Sequence, residues 1–262
     1  MVESDCPPPA KRRRGVYLLP NLFTTGCLFA GFFAILSAIK GDFAAAATAV
    51  FVAMVMDGLD GRVARLTNTQ SDFGAQYDSL ADMVSFGLAP ALVMYQWALL
   101  GLGKFGWLSA FIYTTCTGLR LARFNTQIGI ADKRYFQGLP SPSAAALVAG
   151  AVWLGADSGL PGSDVSWAAC TLTTLVGLLM VSNFRYSSFK QIDFRGRVPF
   201  IFAVSVMLGF GVIYFHPPLV LFVGFILYAI SGPAMTLWQR RRRLSQRQQY
   251  PAPKLPEQEN AE

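Results

Sequence analysis

The chain has 262 residues, of which 53% are apolar and 14% charged, against roughly 25% charged in an ordinary soluble protein. That imbalance argues against a water-soluble domain and for a membrane protein. The formal net charge of +7 suits nucleic acid in a soluble protein but cytoplasmic loops in a membrane protein, so the positions of the basic residues decide between the two.

The N-terminal segment, 1–16, carries prolines followed by Lys11, Arg12, Arg13 and Arg14. The long apolar stretch after it lacks a small-residue cleavage pattern and reads as a retained first span rather than a signal peptide. A spanning helix needs about 20 mostly apolar residues. Eight segments qualify, at about 17–39, 43–65, 77–100, 105–125, 142–156, 165–182, 198–215 and 218–238, the fifth being short. The expected architecture is therefore an all-α, polytopic membrane protein with about eight transmembrane helices. An even number puts both termini on one side, the cytoplasmic one. Twenty of the 22 Lys and Arg then fall on inner segments, and only Lys40 and Lys104 on the outer side, as the positive-inside bias requires. This accounts for the net charge without nucleic acid. The basic clusters Lys11–Arg14 and Arg240–Arg243 also suit anionic lipid headgroups.

Residues 17–238 read as one membrane domain, and 239–262 as a basic and then disordered tail, polar from about Gln246. Small residues Gly26, Ala30, Ala34, Ala45 and Ala49 suit close helix packing. Cys6, Cys27, Cys116 and Cys170 form no paired motif, and Cys27, Cys116 and Cys170 lie in apolar runs as packing residues. His216, before Pro217 and Pro218, reads as a turn residue.

Carboxylates are costly within a membrane and mark function there. The second and third spans carry four in the run MDGLDGRVARLTNTQSDFGAQYDSLADMVSFG. Asp57 and Asp60 are three apart and Asp78 and Asp82 four apart, so each pair lies on one helix face. A short loop joins the helices, so the pairs can oppose each other. Such a group repels itself unless a cation neutralises it, and all-oxygen ligands suit hard divalent ions. Gly61 and Ala64 keep the same surface thin enough for a base or sugar, and Arg65 offers a guanidinium fork to a phosphate. Solvated helix ends would explain one or two aspartates, but not two opposed pairs.

The spacing Asp57-x2-Asp60-Gly61-x2-Ala64-Arg65-x8-Gly74-x3-Asp78-x3-Asp82 resembles the complete signature of the CDP-alcohol phosphotransferases. The resemblance implies displacement of CMP from a CDP-linked lipid or alcohol by an acceptor hydroxyl. It implies a divalent-metal site, Mg2+ or Mn2+, made of Asp57, Asp60, Asp78 and Asp82, in which the first three hold the metal and Asp82 borders it and acts as general base. Gly61 and Ala64 would make room for cytidine, Arg65 would bind the diphosphate, and Ser71 would add a polar contact. Asn21 and Thr24, near the start of the first span, are expected among the CDP-diacylglycerol contacts. A homodimer is likewise implied.

Acceptor choice rests on other inner segments. Arg120 and Arg123 share a helix face and, with Asn125, form the expected acceptor site, although positive-inside flanking explains the arginines equally well by composition. RLARFN, FQGLPSP and SNFRYSSFK resemble the corresponding segments of bacterial and archaeal phosphatidylserine synthases of this family. That likeness implies CDP-diacylglycerol and L-serine as substrates, in a bacterial cytoplasmic membrane with the site facing the cytoplasm. Glycerol 3-phosphate or inositol 1-phosphate is the alternative acceptor. A divalent-metal transporter is the remote alternative, disfavoured because transport sites lie near the bilayer midplane and these aspartates lie at helix ends beside Arg62 and Arg65.

Overall fold

The computed structural model describes residues 18–67, 69, 71–126, 135–187, 207, 211 and 214–249. The described chain is helical apart from one short ribbon. Helix α1 is Leu18–Ile39, α2 Phe43–Leu66, α3 Asp72–Asp82, α4 Ala89–Met94, α5 Lys104–Thr126, α6 Ser141–Asp157, α7 Ser166–Val181 and α8 Pro217–Gln249. Between and after α3 and α4 the helix continues through widened turns at Met83–Leu88 and Tyr95–Leu99.

Among the described residues, five segments are long and apolar enough to cross a bilayer: Leu19–Ile39, Phe43–Leu66, Asp72–Leu102, Gly162–Val181 and Pro217–Thr236. They coincide with the expected first, second, third, sixth and eighth spans. The expected fourth and fifth are present as α5 and α6 but are not among the five. Helix α5 carries Lys104, Arg120 and Arg123. Helix α6 has 17 residues, about 25 Å at 1.5 Å per residue, short of a hydrocarbon core of about 30 Å. The expected 198–215 span lies almost wholly outside the described residues, as do Lys11–Arg14, Lys133, Arg134, Lys190, Arg195 and Arg197. The side chains of Arg185, Arg240–Arg243 and Arg247 are outside them as well.

Helix α6 is the centre of the fold. Ala144 to Gly150 are buried without a break, and α2, α4, α7 and α8 surround it. A helix apolar on all sides suits such a position. Helices α1 and α2 form an antiparallel pair whose seam is alanine: Ala30, Ala34 and Ala38 against Ala46, Ala47, Ala49 and Ala53, all buried. Small side chains let the backbones approach. Gly31 shows how closely α1 also meets the turn after α3, because a Cβ there would lie 2.7 Å from the Ser85 Cα. The Ser85 hydroxyl donates to the Cys27 carbonyl at 2.9 Å across the same contact. Cys27, Cys116 and Cys170 are free.

The ribbon pairs β1, Tyr135–Gln137, with β2, Arg185–Ser187, in antiparallel register with Phe136 opposite Tyr186. Gly138 closes it with φ +79°, and a Cβ there would overlap the Met180 carbonyl oxygen. The Gly138 amide donates to Phe184 O at 2.9 Å and the Leu139 amide to Leu179 O at 3.1 Å. The buried Tyr186 ring lies over Gly232 of α8. Its hydroxyl donates to the Ala229 carbonyl at 3.0 Å. Helix α8 continues to Gln249, past Gln246 where the sequence reading begins a polar tail. Arg and Gln are good helix formers, so loss of apolar character there does not end the helix.

Candidate active site

The C-terminal halves of α2 and α3 bring the aspartates together. Helix α2 ends at Thr67, whose hydroxyl donates to Val63 O at 2.8 Å and whose backbone amide closes the last turn. The chain turns back through the buried Thr69, which shares a 2.7 Å hydrogen bond with Thr67. Ser71 then caps α3, its hydroxyl accepting from the Gly74 amide at 3.0 Å. This reversal sets the two carboxylate faces against each other. One oxygen from each of Asp57, Asp60 and Asp78 lies within 4.8 Å of the others.

Asp60 is buried and Asp57, Asp78 and Asp82 are half-buried. Mutual repulsion in a partly desolvated site is severe, since like charges a few ångströms apart are weakly screened there. Asp82 stands outside the oxygen triad but faces Asp57, Asp78 and Asp60. Its Oδ1 is buried without a hydrogen-bond partner, and Arg120 Nε is the other such side-chain atom among the described residues. Arg120 is in electrostatic range of both Asp82 and Asp57. An all-oxygen triad with an unsatisfied carboxylate oxygen beside it fits a hard divalent cation.

The other sequence-predicted residues separate into two groups. Gly61 opens onto space, with nothing within 4 Å of where a Cβ would be. Ala64 is half-buried on the same helix, and Arg65 is exposed, its Nε donating to Gly61 O at 2.9 Å. These surround an open surface beside the triad. Thr24 instead faces protein, while Asn21 is half-buried and Ser71 exposed. The Ser71 hydroxyl accepts the capping bond from the Gly74 amide. A Cβ at Gly74 would meet the Ser71 hydroxyl at 3.1 Å and Asn21 Oδ1 at 3.5 Å, so Asn21 of α1 lies beside α3 in ordinary contact. The Thr24 hydroxyl donates to Asp60 Oδ2 at 2.8 Å.

Arg120 and Arg123 have different partners. Arg120 Nη1 donates to the Ser141 hydroxyl at 2.8 Å, at the N-terminus of α6. Arg123 Nη2 donates to Gln137 O at 2.7 Å and Nη1 to Val181 O at 3.2 Å, with Ser182 O and Asn183 Oδ1 at 3.5 and 3.4 Å. It ties α5 to the end of β1 and of α7. Asn125 Nδ2 donates to the Ser79 hydroxyl at 3.0 Å, joining α5 to α3 beside Asp78. Ser141 and Ser79, which orient Arg120 and Asn125, are not among the residues expected from the sequence. Ser141 lies in the FQGLPSP segment, but nothing in the sequence pairs it with an arginine.

A family model described as CDP-alcohol phosphatidyltransferase matches residues 17–181. A protein of Helicobacter pylori named CDP-diacylglycerol–serine O-phosphatidyltransferase is 37% identical over 217 residues, 83% of this chain and 90% of that one. A protein of the same name from Mycobacterium leprae is 30% identical over 231 residues, 86% of this chain and 77% of the relative. Another, from Methanocaldococcus jannaschii, is 40% identical over 184 residues, 70% and 80% of the two chains. The matched region runs from α1 through α7 and includes every residue of the aspartate signature, so the chain belongs to the CDP-alcohol phosphatidyltransferase family.

Proposed function

We propose that this protein is a multi-pass membrane enzyme that transfers the phosphatidyl group of CDP-diacylglycerol to the hydroxyl of L-serine, releasing CMP. The observation that carries this reading is the meeting of Asp57, Asp60 and Asp78 oxygens beside the unpartnered Oδ1 of Asp82. The names of the bacterial and archaeal relatives support serine as the acceptor.

Asp57, Asp60 and Asp78 would hold a divalent cation, Mg2+ or Mn2+. When bound, such an ion polarises the diphosphate and offsets the charge of the departing CMP. The residues of the chain do the rest. The open surface at Gly61 and Ala64 receives the cytidine, and Arg65 at its edge presents a guanidinium to the diphosphate. Asp82 takes the proton from the serine hydroxyl, which is a weak nucleophile at neutral pH without a base. A serine O–P bond then forms as the phosphorus–oxygen bond to CMP breaks, in one displacement.

Arg120 binds the serine carboxylate, held in place by Ser141. With Arg123 bonded to backbone carbonyls, one arginine of the pair serves the acceptor. That suits the single carboxylate of serine, while a phosphorylated acceptor such as glycerol 3-phosphate or inositol 1-phosphate would draw on Lys133, Arg134 or Arg185, whose side chains lie outside the described residues.

The eight-span count, cytoplasmic termini and a cytoplasm-facing site in a bacterial inner membrane complete the proposal, with 1–16 and 239–262 flanking the membrane domain. An aromatic group at the end of α5 away from the aspartates marks one membrane–water boundary, and the Lys/Arg bias sets which side is inner. Exposed Phe105 and Trp107 of α5 and Trp167 of α7 lie near Lys104, as at a membrane–water interface. A homodimer follows from the family resemblance.

The test is CMP release from CDP-diacylglycerol by the purified protein in detergent with Mg2+ or Mn2+. Serine, glycerol 3-phosphate and inositol 1-phosphate are compared as acceptors. Release that requires both serine and metal is expected. Release with a phosphorylated acceptor instead overturns the acceptor assignment.

A further inference from the structure

We propose that Thr24 is a positioning residue of the metal site, its hydroxyl fixing the Asp60 carboxylate, rather than a contact of CDP-diacylglycerol. The inference rests on the reading of Asp57, Asp60 and Asp78 as metal ligands. Thr24 is 4% exposed and Asp60 5%, so their contact is sealed from solvent. The Thr24 hydroxyl has one proton and two acceptors in reach, Asp60 Oδ2 at 2.8 Å and Pro20 O at 3.2 Å. The shorter bond to the charged acceptor is the stronger, and Pro20 O is already placed to accept the Thr24 amide within the helix.

The surrounding contacts make α1 a rigid platform for this bond. Thr25 shares a 3.0 Å hydrogen bond with Tyr77 of α3, and Asn21 lies against Gly74. The start of α1 is therefore anchored to the helix bearing Asp78 while Thr24 reaches the helix bearing Asp60. A carboxylate torsion is broad when free. Engaging Oδ2 fixes the carboxyl plane and leaves Oδ1 directed by the protein. Partners of this kind are worth about 10–100-fold in metal affinity where measured in other proteins.

The experiment is Mn2+ binding to the full-length protein in detergent, read from the electron paramagnetic resonance signal of free Mn2+, without substrate. Wild type, Thr24→Val, Thr24→Ala, Thr24→Ser and Asp60→Asn are compared, each with a thermal melt. Thr24→Val and Thr24→Ala are expected to weaken Mn2+ by about tenfold or more, while Thr24→Ser, which keeps the hydroxyl, stays close to wild type. Thr24→Ala, which inserts nothing new beside Asp60, decides the matter if the valine variant does not fold. Unchanged Mn2+ affinity in the hydroxyl-free variants, with Asp60→Asn impaired, overturns the role of Thr24 and leaves the metal reading intact. Wild-type affinity in Asp60→Asn overturns the metal reading and this proposal together. CMP is titrated into the metal-free proteins in parallel, and loss of CMP affinity in Thr24→Ala with Mn2+ binding unchanged returns Thr24 to the nucleotide site.

Discussion

The hydroxyl of Tyr113 donates to the carbonyl oxygen of Phe86 at 2.9 Å, in the interior of the helical domain. Phe86 is four residues before Pro90, which has no N–H to offer it. The same relation recurs in α8. Pro233 lies inside that helix, and Ala229, four residues before it, accepts from Tyr186 at 3.0 Å. In a bilayer an unsatisfied carbonyl costs several kcal/mol, so prolines persist where neighbours supply the missing donor. Here two tyrosines, one from α5 and one from the ribbon, supply it.

Tyr113→Phe should therefore destabilise the protein by about 1–3 kcal/mol, the usual cost of leaving a buried acceptor unpaired. Pro90→Ala adds a backbone N–H to this widened turn, in which the Ala89 amide bonds Val84 O five residues back. By relaxing the turn toward four-residue spacing it should recover part of that loss in the double variant. Melting midpoints in detergent of both single variants and the double variant measure the coupling. Strictly additive effects would show that the hydroxyl is not replacing the proline's missing N–H.

Gly138→Ala should be more damaging. The residue has φ +79° and no room for a Cβ before the Met180 carbonyl. The left-handed conformation alone costs about 1–2 kcal/mol for a non-glycine residue, and the overlap adds to it. The ribbon must then shift away from α7. Increased protease cleavage near Gln137, with the aspartate site still able to bind Mn2+, is the expected result. A cleavage pattern like that of wild type would mean the ribbon tolerates the side chain.

The bounds of α1 and α2 and the aspartate signature were legible because each depends on local pattern: apolar run length, helical spacing and fixed glycines. The ribbon was not. Strands of three residues, such as Tyr135–Gln137, are too short for alternation to register, and their pairing joins segments fifty residues apart in the chain. Arg123 illustrates the same limit. Its position on a helix face is readable, but its acceptors are carbonyls of Gln137 and Val181, and no sequence pattern marks a backbone oxygen. Thr24 and Asp60 are 36 residues apart, so their bond becomes visible only once α1 and α2 are packed.

Arg120 and Arg123 should consequently separate by experiment. Arg123→Ala removes a clamp between α5, α7 and the ribbon and should lower stability by about 2 kcal/mol, given the strength of charged hydrogen bonds, with the serine KM little changed. Arg120→Ala should raise the serine KM, by about tenfold or more if it removes one charged contact of about 1.5–3 kcal/mol. Steady-state kinetics and melts on both variants decide this. An Arg123 variant that melts like wild type but has a raised serine KM would reassign the acceptor site to Arg123.

Asp82→Asn gives the most direct test of the division of labour among the carboxylates. Asp82 is outside the oxygen triad of Asp57, Asp60 and Asp78, and its Oδ1 is buried with no partner. Asparagine keeps nearly the same shape and relieves repulsion from three neighbouring carboxylates, so the fold should survive. It cannot accept the serine proton. A positioned base contributes about 10²–10⁴-fold, and turnover should fall within that range. Mn2+ affinity should change little, whereas Asp78→Asn, which removes a triad oxygen, should impair metal binding. If Asp82→Asn loses Mn2+ as severely as Asp78→Asn, Asp82 is a ligand and the proton must leave by another route. If it keeps most of its turnover, Asp82 is not the base.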